Sequence, residues 1–164
     1  MISEIKNKLR SGDFTIGSWM QLPDTSVAEI MGKSGYDWVV VDLEHGQFSR
    51  EKLPDIFRAL ELGGTLPIAR LAEANPKDIK QALDSGAQGL IFPMIESSKQ
   101  LEQAISASFY PPIGTRGVGY ARANLFGKYF ENYFKSADDL ILIAQIEHIQ
   151  AFKQLDDIFK VEYL

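Results

Sequence analysis

The sequence of 164 residues contains no cysteine. That excludes disulfide bridges and thiolate metal sites, and it fits a reducing, cytoplasmic setting. No apolar run approaches the roughly 18 residues that a membrane-spanning helix needs. The opening "MISEIKNKLRSGDF" has mixed charge and lacks a signal peptide's apolar centre, so neither a leader nor a membrane partner is expected. Basic clusters are missing too. The net charge of −5 is spread along the chain, which argues against nucleic acid as a partner. Lysines are confined to charged helices, loops and termini. A Schiff-base enzyme needs a lysine desolvated in a strand-end pocket, and here there is no candidate.

What remains is a globular composition, 45% hydrophobic, enough for one sizeable core. Five segments read as strands: 14–20, 38–43, 66–71, 89–94 and 140–147. They are short, continuously apolar and rich in Val, Ile and Leu, the pattern of parallel strands covered on both faces. Helical patterns separate them. Residues 25–34 place Val27, Ile30 and Met31 on one face, and residues 50–62 do the same with Leu53, Ile56, Phe57 and Leu60. "NPKDIKQALDSG" supplies Asn75 as N-cap, Pro76 at the first helical position and Gly86 as the stop. Ser97 and Gln100 have capping-box spacing. Near the end, Ile149, Phe152, Leu155 and Phe159 form one stripe.

The order is β-α-β-α throughout, one α/β domain over residues 1–164 with a parallel sheet. A long connection, 109–138, carries Pro-Pro and several glycines and reads as an ordered functional loop followed by a short aromatic helix. A closed eight-stranded barrel usually needs about 250 residues. This chain supplies five clear strands, and "VEYL" reads as the start of a sixth. Two architectures fit: a complete doubly wound sheet, or a (β/α)8 barrel cut to about five or six units.

In both, ligands sit at the carboxyl ends of the strands. Those ends carry Trp19 and Gln21; Asp42, Glu44 and His45; Arg70; Pro93; and Gln145 and Glu147. Each residue alone also fits a plainer role as a cap, surface group or salt-bridge partner. Their convergence on one rim is what points to a site. Gln145 and Glu147 share a face by strand parity, and His148 falls on the other, which makes it structural or surface. "GTRGVG" (114–119) reads either as a weak phosphate cradle or as a shaped loop at the pocket mouth. Arg116 and Arg122 read as anion contacts or as ordinary surface cations. Without a catalytic lysine, carbonyl chemistry needs a metal electrophile, and Glu147 offers an oxygen ligand suited to Mg²⁺ or Mn²⁺.

"DWVVVDLEHG", "PIAR", "LDSGAQGLIFPM", "YPPIGTRGVG" and "QIE" resemble, in that order, the HpcH/HpaI aldolase family. The resemblance runs from about Gly17 to the end. These are class II, metal-dependent pyruvate aldolases on a (β/α)8 barrel, commonly hexameric, that use Mg²⁺, Mn²⁺ or Co²⁺. The resemblance implies an enzyme that cleaves a 4-hydroxy-2-oxo acid to pyruvate and an aldehyde. It makes His45 the acid/base residue, oriented by Asp42. It gives Arg70 the pyruvyl oxygen, and Glu147 the metal. Gln145 would line the pyruvate and metal site, with Trp19 beside it. The family's second metal carboxylate is an aspartate on the next strand, and Leu164 precedes that position. A truncated, non-catalytic α/β scaffold is therefore the competing expectation. A related acyl-CoA lyase is a third, disfavoured because no nucleotide-binding stretch is evident.

Overall fold

The apolar runs come together as a single parallel sheet. In the computed structural model, which describes residues 1–164, the strands are β1 (Gly17–Met20), β2 (Trp38–Asp42), β3 (Leu66–Arg70), β4 (Gly89–Phe92) and β5 (Ile141–Ala144). They lie side by side in chain order, and every pairing is parallel. A doubly wound sheet reverses its strand order at a switch point, whereas a barrel does not. The unbroken order therefore selects the barrel: these are five consecutive βα units of a (β/α)8-type fold. No helix is long and apolar enough to cross a membrane.

Helices α2 (Thr25–Lys33), α3 (Leu53–Gly63), α4 (Pro76–Ser85) and α5 (Ser98–Ser108) fill the connections between strands. Their boundaries follow from side-chain chemistry. Asn75 caps α4 by accepting from the N–H groups of Lys77 and Asp78, both at 3.0 Å. Gly86 ends it in a left-handed conformation at φ 112°. Leu53, Ile56, Phe57 and Leu60 of α3 are fully buried, packed with Val39, Val41, Ala69 and Leu90 from the outer face of the sheet. Helices α2 and α3 touch through glycine: a Cβ on Gly63 would lie 2.5 Å from the Gly32 backbone.

The other face of the sheet is the barrel interior. Val40, Leu66, Ile68, Ile91 and Ile141 form its apolar layer, and Ile5 of α1 (Ile2–Ser11) packs onto them. Two ion pairs hold α1 there. Lys6 meets Asp139 at 2.7 Å, just before β5, and Lys8 meets Asp37 at 2.6 Å, just before β2. The helix thus lies across the amino ends of the strands, opposite the carboxyl rim.

Several sequence expectations change. The first strand begins at Gly17; Phe14 and Ile16 are exposed. On α2 the buried residues are Ala28 and Gly32, while Ile30 is exposed, because close contact with α3 requires small side chains. "VEYL" is a turn with Tyr163 at φ 69°, not a sixth strand. The short aromatic helix of the long connection is α6 (Phe130–Ser136), and the C-terminal stripe is split at Gln154 into α7 (Ile149–Lys153) and α8 (Leu155–Ile158). Ala151 and Ile158 are its buried residues, and Ile149, Phe152 and Phe159 face outward.

Candidate active site

Strand parity carries the interior face upward from its apolar layer to the carboxyl rim. Trp19 and Gln145 line the same interior cavity of about 390 Å³ as Val40, Ile68 and Ile91. Asp42 and Arg70, two positions beyond Val40 and Ile68, share that parity. They are register partners across β2 and β3.

That register builds a fork. Nε and Nη2 of Arg70 donate to Oδ1 and Oδ2 of Asp42 at 2.9 and 2.6 Å. Nη1 meets Glu44 Oε2 at 3.0 Å, and the guanidinium carbon lies 5.0 Å from the Trp19 ring centroid. Asp42 is fully buried. It also accepts from Gln21 Nε2 at 2.8 Å and from the N–H groups of Glu44 and His45 at 3.2 and 3.1 Å. Burial alone would push its carboxyl up; the Arg70 fork, the Gln21 amide and the His45 N–H outweigh that and hold it well below the usual carboxylate range. Arg70 is held correspondingly high, chiefly by its bonds to Asp42, with the Glu44 and Glu147 charges adding to the effect.

His45 sits at the same rim with its side chain 67% exposed, its Nε2 3.9 Å from Glu44 Oε1. The expectation that Asp42 orients this imidazole is corrected here. Both oxygens of Asp42 are committed to Arg70, so it holds His45 through the main chain, and the carboxylate beside the ring is Glu44.

The fifth strand end brings two oxygen donors. Glu147 Oε2 accepts the Met94 N–H at 3.1 Å. Gln145 Oε1 is buried without a hydrogen-bond partner. A carboxylate and an orphaned amide oxygen suit a hard divalent cation in kind. Asp42, Glu44 and Glu147 set against Arg70 also leave a local excess of negative charge for such an ion to neutralise. The number of donors is small: no three His, Asp or Glu side chains converge as a metal cluster.

The other candidates lie elsewhere. Arg116 is buried, paired with Asp84 at 2.7 Å and bonded to the Tyr133 hydroxyl at 3.0 Å, with its guanidinium over the Tyr110 ring. Arg122 pairs with Glu61. Asp84 and Glu61 lie in the last turns of α4 and α3, next to the amino ends of β4 and β3. The 114–119 loop therefore braces the edge opposite the rim and neither lines the mouth nor presents cations to a ligand. His148 lies past the end of β5, where its Nδ1 accepts from Gln150 N at 3.3 Å as the cap of α7. The features that spacing does not reveal are Met94, at φ 51°, and Gln100, which bonds to its carbonyl.

Residues 15–164 match the sequence pattern of the HpcH/HpaI aldolase/citrate lyase family. The chain belongs to that family. The 2-keto-3-deoxy-L-rhamnonate aldolase of Salmonella gallinarum (strain 287/91 / NCTC 13346) is 41% identical over 160 residues, covering 96% of this chain and 60% of that protein. A crystal structure of an HpcH/HpaI family protein from Burkholderia cenocepacia J2315 superposes with a TM-score of 0.88 at 30% identity, over 97% of this chain and 65% of that one. Citrate synthase SbnG gives a TM-score of 0.82 at 33% identity, over 96% and 61% of the two chains. The HpcH/HpaI chain thus spans about 60% of the length of the curated relatives it matches.

Proposed function

We propose that this rim serves a metal-dependent aldolase that cleaves a 4-hydroxy-2-oxo acid to pyruvate and an aldehyde. The observation that carries the reading is the Arg70 guanidinium, fixed by Asp42 and Glu44 under Trp19, at the same strand ends as the Glu147–Gln145 oxygen pair. Two N–H groups of Arg70 are hydrogen-bonded to Asp42, Glu44 adds its charge beside Nη1, and N–H groups on Nη1 and Nη2 remain for a ligand oxygen.

Glu147 and Gln145 would hold the cation, Mg²⁺ or Mn²⁺, and Co²⁺ is a further choice. When bound, such an ion supplies Lewis-acid polarisation of the 2-oxo group. His45 presents its imidazole at the rim and accepts the 4-hydroxyl proton. As the C3–C4 bond breaks, its electron pair passes into the pyruvate enolate and the aldehyde carbonyl forms. The free N–H groups of Arg70 stabilise the enolate oxygen. His45 then returns the proton to C3, and pyruvate leaves. Asp42 keeps Arg70 in place throughout, and Trp19 shields the guanidinium from water. A homo-oligomer, hexameric as in the family, belongs to the same proposal; exposed Tyr120 and Phe126 on the 109–138 connection support it.

The test is pyruvate release from a panel of 4-hydroxy-2-oxo acids with Mn²⁺ or Mg²⁺, by this chain alone and supplemented with the C-terminal segment of a relative. Metal-dependent pyruvate formation supports the reading. Its absence in both preparations across the panel refutes it and favours a non-catalytic scaffold.

A further inference from the structure

The turn that follows β4 departs from ordinary backbone geometry. Met94 is not a glycine, yet it adopts φ 51°. A side chain with a Cβ is strained there, and such a conformation persists only where its surroundings over-determine it. Three bonds do so. Ile95 N–H donates to the Gln145 carbonyl at 3.2 Å. Met94 N–H donates to Glu147 Oε2 at 3.1 Å. On the other side of the same residue, Gln100 Nε2 donates to the Met94 carbonyl at 3.1 Å.

Gln100 belongs to the first turn of α5 and faces two ways. Its Oε1 accepts from Glu96 N–H at 2.9 Å. Its own N–H donates to the cap, Ser97 Oγ, at 3.3 Å. In a standard capping box the side chain at this position reaches back to the N-cap N–H. Here it reaches one residue further, to Glu96, which also brings its amide nitrogen to Met94. An ordinary helix start needs neither the Glu96 nor the Met94 contact.

We propose that Gln100 is a positioning residue for Glu147. By holding the Met94 carbonyl it keeps the left-handed turn in place, and the turn aims the Met94 N–H at Glu147 Oε2, fixing that carboxylate and leaving Oε1 for a cation. The inference rests on the aldolase reading for the cation, but the Gln100–Met94–Glu147 relay stands on the geometry alone.

The experiment has a metal-free arm and a metal arm. In the metal-free protein, amide hydrogen exchange is read at Met94. Gln100→Ala and Glu147→Ala both accelerate it, each by about tenfold or more. Ser97→Ala, which weakens the same helix start without touching Met94, leaves it within about twofold. Gln100→Glu keeps the acceptor for Glu96 and removes the donor to Met94. It therefore preserves the melting temperature yet accelerates Met94 exchange. In the metal arm, Mn²⁺ affinity is measured by calorimetry. Gln100→Ala weakens it about 10-fold, the lower end of the usual effect of an outer-shell partner, while Ser97→Ala does not.

Unchanged Met94 exchange in both Gln100→Ala and Gln100→Glu overturns the proposal. Equal effects of Ser97→Ala and Gln100→Ala on exchange also overturn it, since they reduce Gln100 to a helix cap. If Mn²⁺ affinity is indifferent to Glu147→Ala, the metal assignment of the preceding section fails. The exchange arm then still decides whether Gln100 holds the turn.

Discussion

Asp42 and Arg70 face each other across two adjacent strands, and both oxygens of the carboxylate meet the guanidinium, at 2.9 and 2.6 Å. The pair is largely out of water, with side-chain exposures of 0% and 11%. Breaking such a pair from one side leaves an uncompensated charge and typically costs about 3–5 kcal/mol. Asp42→Ala is expected to destabilise the protein on that scale in urea unfolding. Combining it with Arg70→Met should recover part of the loss. Strict additivity in that double-mutant cycle would mean that the two side chains do not interact.

The same pair sets an acid limit on stability. The Asp42 carboxyl is depressed in the folded state, so its stabilisation is fully present above the unfolded value of about 3.9. It fades as pH falls below that value toward the lower folded one. Asp37, bonded to Lys8, is shifted in the same direction. The midpoint of urea unfolding should therefore change little between about pH 5 and 7 on account of these groups and drop below about pH 4. Asp42→Asn should flatten that drop. An equally steep decline in the variant would assign it to other carboxylates.

Arg70→Lys keeps the charge but loses the fork, and planar, two-pronged recognition is what lysine cannot reproduce. A loss of about 10²–10³ in kcat is expected where one strong oxyanion contact is removed, with Mn²⁺ affinity near that of the parent. Near-normal turnover would remove Arg70 from the chemistry.

The His45 side chain is exposed, and its bond to Asp42 is made by the main-chain N–H, so His45→Ala should shift stability by no more than about 0.5 kcal/mol. Turnover should fall by about 10²–10⁴. Partial rescue by added imidazole would support proton transfer; a fall in stability as large as that of Asp42→Ala would instead make the residue structural.

Much of this arrangement is legible in the chain. Continuous β-branched runs mark the strands because both sheet faces are covered. Asn75 and Gly86 mark α4 because capping is local chemistry. Two-residue parity places Asp42, Arg70 and Gln145 on the face that reaches the rim. What is hidden depends on long-range register or on bulk. The Asp42–Arg70 fork follows from a pairing between residues 28 apart, which no spacing within either strand encodes. Ile30 carries the expected period, yet Ala28 and Gly32 make the contact because backbone approach to Gly63 decides it. Arg116 sits in a non-periodic loop, so nothing local signals that Asp84, Tyr110 and Tyr133 enclose it. Met94 and Gln100 read as an ordinary strand end and an ordinary helix start; only the left-handed turn reveals their connection to Glu147.

The lysine contacts of α1 impose a schedule on biosynthesis. Lys6 and its partner Asp139 are 133 residues apart, although they meet at the same end of the sheet. At ordinary ribosomal speed the helix is made on the order of ten seconds before Asp139 exists. During that interval one of its two anchors is absent, and the apolar residues around Ile5 have no finished floor to rest on. An element made well before β5 is thus among the last to be secured, and a nascent chain stalled before β5 should leave α1 open to proteases or chaperones.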